Sequence, residues 1–117
     1  KADVLAAIYR TAHLFWSMSE HEGFGVPLVE AMWYDVPVLA YKSTAVPETL
    51  GRAGIIFRSK EDLRQVAALA HLLVERRGLR ETVLAAQRER RLAFTRARFE
   101  ETVDRLLDTM DALPRIA

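Results

Sequence analysis

Glu22-Gly23-Phe24-Gly25-Val26-Pro27-Leu28-Val29-Glu30 is the stretch on which the reading of this chain turns. It follows a short apolar run, His13-Leu14-Phe15-Trp16-Ser17. Continuous apolar runs of that length suit a parallel strand covered on both faces. Gly23 and Gly25 let the backbone approach a ligand closely, with no Cβ in the way. Pro27 stands where a helix begins, because its fixed φ and missing N–H suit the first helical position. The stretch therefore reads as strand end, glycine loop and helix start. Free N–H groups and the helix dipole make such a place a natural anion site. Glu22 and Glu30 lie on either side of it. Carboxylates accept hydrogen bonds from vicinal hydroxyls, which ribose and hexose both provide. A phosphate held between two sugars matches this layout.

Outward from this stretch, helix and strand alternate. Residues 2–12 read as a helix, with Leu5, Ile8 and Tyr9 at helical spacing. The helix that Pro27 opens is expected to run to about Tyr34. Residues 37–41 form the next strand, 43–46 a turn, and Pro47 starts a short helix that Gly51 ends. Residues 54–57 are a last strand. Ser59 with Asp62 resembles a capping box, followed by an apolar stripe of Leu63, Val66, Ala67, Ala70, Leu73 and Val74. Residues 79–94 read as another helix, and Phe99, Val103, Leu106, Leu107 and Met110 mark a terminal one.

This order predicts an α/β fold with a parallel sheet and right-handed crossovers. About three strands are visible, whereas a doubly wound sheet usually has five or more. The chain is thus expected to be the second half of such a domain. It reads as a single partial domain, with an α/β part over 1–58 and a helical part over 59–117.

Composition narrows the functional classes. Half of the 117 residues are hydrophobic and 28% are charged, a globular balance. A net charge of +1 gives no argument for nucleic acid. The absence of cysteine excludes disulfides and thiolate metal sites, and it fits a cytoplasmic location. The three histidines, His13, His21 and His71, show no metal-ligand spacing. His21 adjoins the decisive stretch and reads as a surface residue. The aromatic group Trp16, Trp33 and Tyr34 reads as core. Arginines of the helical part, among them Arg76, Arg77, Arg80, Arg88, Arg90 and Arg91, alternate with glutamates. They read as a solvated face, with contact to an anionic membrane as the alternative.

The decisive stretch resembles the E-x7-E motif of the group 1 glycosyltransferases, the retaining GT-B family that includes glycogen synthase and bacterial polysaccharide and glycolipid transferases. Glu22, Gly23, Phe24, Gly25, Pro27, Glu30, Ala31 and Met32 fit the pattern E-G-F-G-x-P-x-x-E-A-M, and Ser17 or Ser19 fills the serine position before it. At residue frequencies of about 5%, such a match arises by chance about once in 10¹⁰ starting positions. The resemblance extends to the helix before the motif, to Pro37-Val38 after it, and to Pro47-Glu48 with Gly51 and Gly54.

The resemblance implies a Rossmann-like donor-binding domain and transfer of a sugar from a nucleotide-sugar to a hydroxyl, with retention and without a metal or other cofactor. It implies that Glu22 hydrogen-bonds the transferred sugar, as the catalytic-site carboxylate. The backbone of Gly23, Phe24 and Gly25 would hold that sugar, the amides near Gly25 and Val26 the diphosphate, and Glu30 the ribose. Glu48 reads as support for its short helix. The family's basic Arg/Lys pair, its acceptor-side loop and its N-terminal acceptor domain are expected on sequence before Lys1. The chain alone is therefore expected to bind nucleotide weakly and to transfer nothing. Self-association is a further expectation, because an incomplete sheet leaves an edge unpaired.

Three positions depart from the family pattern. Asp35 stands where Gly is usual, and Asp tolerates the left-handed conformation better than most residues. Residues 43–46 lack the glycine pair that many members carry. Arg96 stands where Trp is common.

Two other classes compete. A dinucleotide-binding dehydrogenase needs G-x-G-x-x-G and an acidic residue some 20 positions on. Here Leu28 occupies the third glycine's place and Glu30 comes far too early. A non-catalytic interaction module would use the open sheet edge to pair with another chain.

Overall fold

The computed structural model describes residues 2–20, 25–95, 104, 105 and 107–109. Within them the order is α1 (Ala2–Thr11), β1 (Phe15–Ser17), α2 (Val26–Trp33), β2 (Val38–Tyr41), α3 (Val46–Leu50), β3 (Ile55–Phe57), α4 (Leu63–Glu75) and α5 (Arg77–Arg90). A 3-10 turn, Arg91–Phe94, follows. The fold is α/β and Rossmann-like. Its three strands form one parallel sheet in the order β1-β2-β3.

The central strand explains the layering. Phe15 faces Val38 across the first ladder, and Leu39 faces Ile55 across the second. Val38, Leu39 and Ala40 have no exposed surface. Side chains alternate between faces along a strand, so β2 feeds two cores. Val38 and Ala40 join Tyr9, Leu28, Val29, Met32, Val46 and Leu50 beneath α1, α2 and α3. Leu39 joins Phe57, Val66, Ala70, Leu73 and Val83 beneath α4 and α5. Truncating Leu39 to Ala would cost about 2–5 kcal/mol, the usual range for a buried leucine.

The strands are shorter than the sequence predicts. β1 starts at Phe15 rather than His13, and β2 at Val38 rather than Pro37. Proline has no N–H to give to a ladder. The carbonyl of Pro37 still accepts from the Phe15 N–H at 2.9 Å, and pairing stops there.

The helices also differ in detail. In α1 only Tyr9 of the expected stripe is buried, while Leu5 and Ile8 are exposed. The N-cap of α4 is Asp62, not Ser59. Its carboxylate accepts from the N–H groups of Arg64 (3.1 Å) and Gln65 (3.4 Å). The Ser59 hydroxyl takes the Glu61 N–H in a preceding turn. The buried stripe of α4 is Val66, Ala70 and Leu73, with Leu69 half-buried beside it. Leu63, Ala67 and Val74 lie on the exposed flank. The helix at 79–94 proves to begin at Arg77 and to tighten into the 3-10 turn after Arg90. Arg76 alone separates it from α4: its N–H donates to Leu72, and its carbonyl accepts from Arg80. Of the expected terminal helix, Phe99, Val103, Leu106 and Met110 lie outside the described residues. Leu107 is helical and exposed.

Two tryptophans do not join the core. Trp16 and Trp33 are each 42% exposed. Trp16 shares a face of β1 with Leu14 and Met18, but α4 and α5 cover β2 and β3 and leave this edge open. Trp33 donates from Nε1 to the Phe94 carbonyl and lies under the Arg91 guanidinium, 4.8 Å from its ring centre. Tyr34 is half-buried and stacks on Tyr9 with ring centres 5.2 Å apart.

One buried polar side chain fixes the start of β2. Gln87 of α5 has no exposed surface. Its Oε1 accepts from the Val38 N–H and its Nε2 donates to the Val36 carbonyl, both at 2.8 Å. Both polar atoms of the amide are thereby satisfied in a dry interior, where leaving either one unpaired is costly.

Candidate functional site

The site is expected at the carboxyl ends of the strands, where open α/β sheets bind ligands. Described backbone from three connections lies there: residues 18–20 and Gly25 between β1 and α2, 42–45 after β2 and 58–62 after β3.

Gly25 is the hinge of the first. It is the N-cap of α2, with φ 69° and ψ 21°, a left-handed conformation. It is also buried against α3. A Cβ at this position would lie 2.5 Å from Thr49 Oγ1 and 2.9 Å from Thr49 Cγ2. Conformation and space both demand glycine here.

No side chain among the described residues caps α2, and no acidic residue stands in its first turn. Pro27 has no N–H, and the ladder begins with the Val29 N–H donating to Gly25 at 3.0 Å. α4 is different, because Asp62 already occupies its N-terminus. With no described side chain capping them, the first N–H groups of α2 and its dipole can hold an anion. Val26, half-buried, carries one of those amides.

Glu30 lies on the next turn of α2 and is half-buried. Among the described residues, no hydrogen bond or ion pair to its carboxylate is formed. Its charge is felt across the helix pair. Tyr9 has its pKa raised above the ordinary 10.0 by burial first, then by Glu30, then by Tyr34. The Tyr9 hydroxyl donates to the Pro27 carbonyl at 3.4 Å. α1 thus touches the first turn of α2.

Gly25, Val26 and Glu30 are brought together on one helix end. Glu22, Gly23 and Phe24, with His21, lie outside the described residues. Glu48 is exposed, and its backbone carbonyl accepts from Arg90 at 2.7 Å. Ser17 accepts the Ser19 N–H on its hydroxyl at 3.3 Å, tying both candidate serines into the turn after β1.

Behind the site, several arginines brace the helices rather than form a solvated face. Arg91 donates to the Met32 carbonyl at 3.2 Å and to the Asp35 carboxylate at 3.0 Å. Arg88 reaches the same carboxylate at 2.9 Å. These cations stand at the negative end of α2, where they offset its dipole. Asp35 itself is left-handed, with φ 55°, as its place after the helix predicts. Arg90 donates to the Thr49 carbonyl at 2.9 Å, and so holds the C-terminal end of α3 whose Thr49 packs on Gly25. Arg80 reaches back to the His13 carbonyl at 2.8 Å. Thr49, Gln87 and these arginines carry no sequence motif. Only their wide separation from the groups they serve, 67 residues for Arg80 and His13, explains why they were missed.

Among the described residues, no three His, Cys, Asp or Glu side chains are grouped to hold a metal, and no helix is long and apolar enough to cross a membrane.

A parallel α/β sheet with a glycine-opened helix at its strand ends defines a Rossmann-like unit. The chain belongs to the glycosyl transferases group 1, whose family model matches residues 1–90. It is 40% identical over 70 residues to the O-antigen chain mannosyltransferase B of Escherichia coli, covering 59% of this chain and 17% of that protein. It is 38% identical over 66 residues to the serotype-specific mannosyltransferase WbdA of Escherichia coli, covering 55% of this chain and 8% of that protein. The chain thus spans less than a fifth of the length of the curated relatives it matches.

Proposed function

We propose that this chain forms the donor half-site of a retaining GT-B glycosyltransferase that moves a mannosyl or related hexosyl group from a nucleotide-sugar to a hydroxyl acceptor. The observation that carries this reading is the N-terminus of α2, opened by left-handed Gly25 at the strand ends and uncapped by any side chain among the described residues. A diphosphate brings negative charge to a helix end with no acidic residue in its first turn. As the bond from anomeric carbon to phosphate oxygen breaks, charge grows on the diphosphate. Fixed N–H donors stabilise it without reorganising. The amides at Gly25 and Val26 serve the diphosphate, and Glu30 accepts from the ribose hydroxyls. Glu22 orients the transferred sugar, with Gly23 and Phe24 beside it. No metal or cofactor is assigned a role. The mannosyl assignment rests on the names of the two relatives above.

The partner of this half-site is an acceptor domain on the N-terminal side, which also supplies the cations for the leaving group. Without it the chain binds nucleotide and transfers nothing. The work is placed in the cytoplasm, with peripheral contact to the membrane where a glycolipid acceptor is used. Calorimetry with UDP, GDP and ADP and with their sugars tests the reading. Saturable binding of one nucleotide is expected. A folded sample that binds none of them at millimolar concentration would refute it.

A further inference from the structure

The carboxyl ends of all three strands meet at one side chain. Lys60, just past β3, turns its ammonium back across the sheet. Nζ donates to the Met18 carbonyl at 2.7 Å and to the Glu20 carboxylate at 3.1 Å. It also stands 4.3 Å from the ring centre of Tyr41, the last residue of β2. Met18 and Glu20 begin the connection that leads from β1 to Gly25. An ammonium has three donors and no acceptor, and here its surroundings are a carbonyl, a carboxylate and an aromatic face. Such a lysine differs from a solvated surface charge.

We infer that Lys60 is a positioning residue for the donor site: it fixes the root of the β1–α2 loop against β2 and β3. This rests on the donor-site reading above. The contact that matters is the one to the Met18 carbonyl. The Lys60 side chain is 28% exposed, whereas Glu20 is 66% exposed. An ion pair that open to water contributes little, while a charge-assisted bond to a backbone carbonyl in a half-buried place contributes more. The bond also constrains backbone rather than another mobile side chain. Lys60 bonds to none of Gly25, Val26 or Glu30, so it acts through the backbone at Met18.

The test uses the full-length protein, with GDP, UDP and ADP as probes. Lys60→Met keeps the apolar stem and removes the cation, and Lys60→Arg restores a cation. Glu20→Gln removes the ion pair alone. Lys60→Met is expected to weaken binding of the preferred nucleotide about tenfold, the lower end of what one charge-assisted hydrogen bond contributes. Lys60→Arg is expected to recover most of that loss, and Glu20→Gln to stay within about twofold. In turnover, the KM for the donor rises with Lys60→Met while the acceptor KM holds. Lys60→Gln serves if Lys60→Met does not fold. Unchanged binding by the cation-free variant overturns this inference and leaves the donor site standing. Weak binding that Lys60→Arg does not restore also overturns it. If the unaltered folded protein binds none of the three nucleotides, the donor-site reading falls, and this inference falls with it.

Discussion

Gly25→Ala is the substitution whose cost can be worked most directly from the structure. The added methyl would have to sit at φ 69°, in the left-handed region. That conformation costs an L-residue about 1–2 kcal/mol. The methyl would also lie 2.5 Å from Thr49 Oγ1 and 2.9 Å from Cγ2. Neither distance is tolerable, so Thr49 must move. Thr49 is buried, and Arg90 holds its carbonyl. Overpacking of this kind costs about 1–3 kcal/mol. The sum is about 2–5 kcal/mol, out of the 5–15 kcal/mol by which most domains are stable. Urea unfolding followed by circular dichroism measures it. The two terms separate in a double-mutant cycle with Thr49→Ala, which removes Oγ1 and Cγ2 and leaves only the 3.0 Å approach to Thr49 Cβ. Gly25→Ala is expected to cost at least about 1 kcal/mol less on the Thr49→Ala background than alone. A single Gly25→Ala variant within about 0.5 kcal/mol of the unaltered protein would refute the argument. Additivity of the two substitutions would refute the steric half of it.

Gln87→Leu leaves the Val38 N–H and the Val36 carbonyl unpaired in a dry interior, and thermal unfolding should show a loss of about 2–5 kcal/mol. Asp35→Gly relieves the left-handed backbone but forfeits two ion pairs that are each roughly half exposed, so its denaturation midpoint should stay within about 1 kcal/mol of the unaltered protein, whereas Asp35→Val should lose about 2 kcal/mol. Tyr9 adds an alkaline signature. Its folded pKa is raised, so the unfolded chain gives up the proton first as pH climbs. The stability it contributes is whole below the ordinary value of 10.0 and is lost as pH rises through the folded value. Tyr9→Phe should flatten this limb in unfolding measurements carried upward from the ordinary value of 10.0, and an unchanged limb would assign it to other groups.

Local signals were readable. Pro37-Val38-Leu39-Ala40 announces a strand, and Val38 to Ala40 are fully buried; His13 to Ser17, expected to be covered on both faces, is only half-buried, with Trp16 exposed. Pro27 after Gly25 announces a helix start, and α2 opens at Val26. Asp35 announces a left-handed residue after that helix, and its φ is 55°. What a helix packs against is not local. The α4 stripe proved to be Val66, Leu69, Ala70 and Leu73, because Leu39 and Phe57 on the sheet choose the buried side. The polar side chains misled for the same reason. Arg88, Arg90 and Arg91, on α5 and the turn after it, read as a wet face, and Gln87 beside them carries no signal. Their partners lie 41 to 59 residues earlier. Of the site itself, the glycine that opens α2 was legible, while Thr49 and Lys60, which hold the surrounding backbone in place, carry no pattern at all.

The amide of Gln87 has a consequence for the order in which this molecule assembles. Its two bonds join α5 to backbone 49 and 51 residues upstream. On a ribosome, residues 36 to 38 emerge long before residue 87. Until then the middle strand has neighbours but an unfinished beginning, with a donor and an acceptor that only water can serve. Closure across so long a stretch is slow compared with local helix formation. A nascent chain halted short of residue 87 would carry α1 to α4 and still lack a settled start to its middle strand. Completion of the fold is thus signalled by a residue with no part in the chemistry.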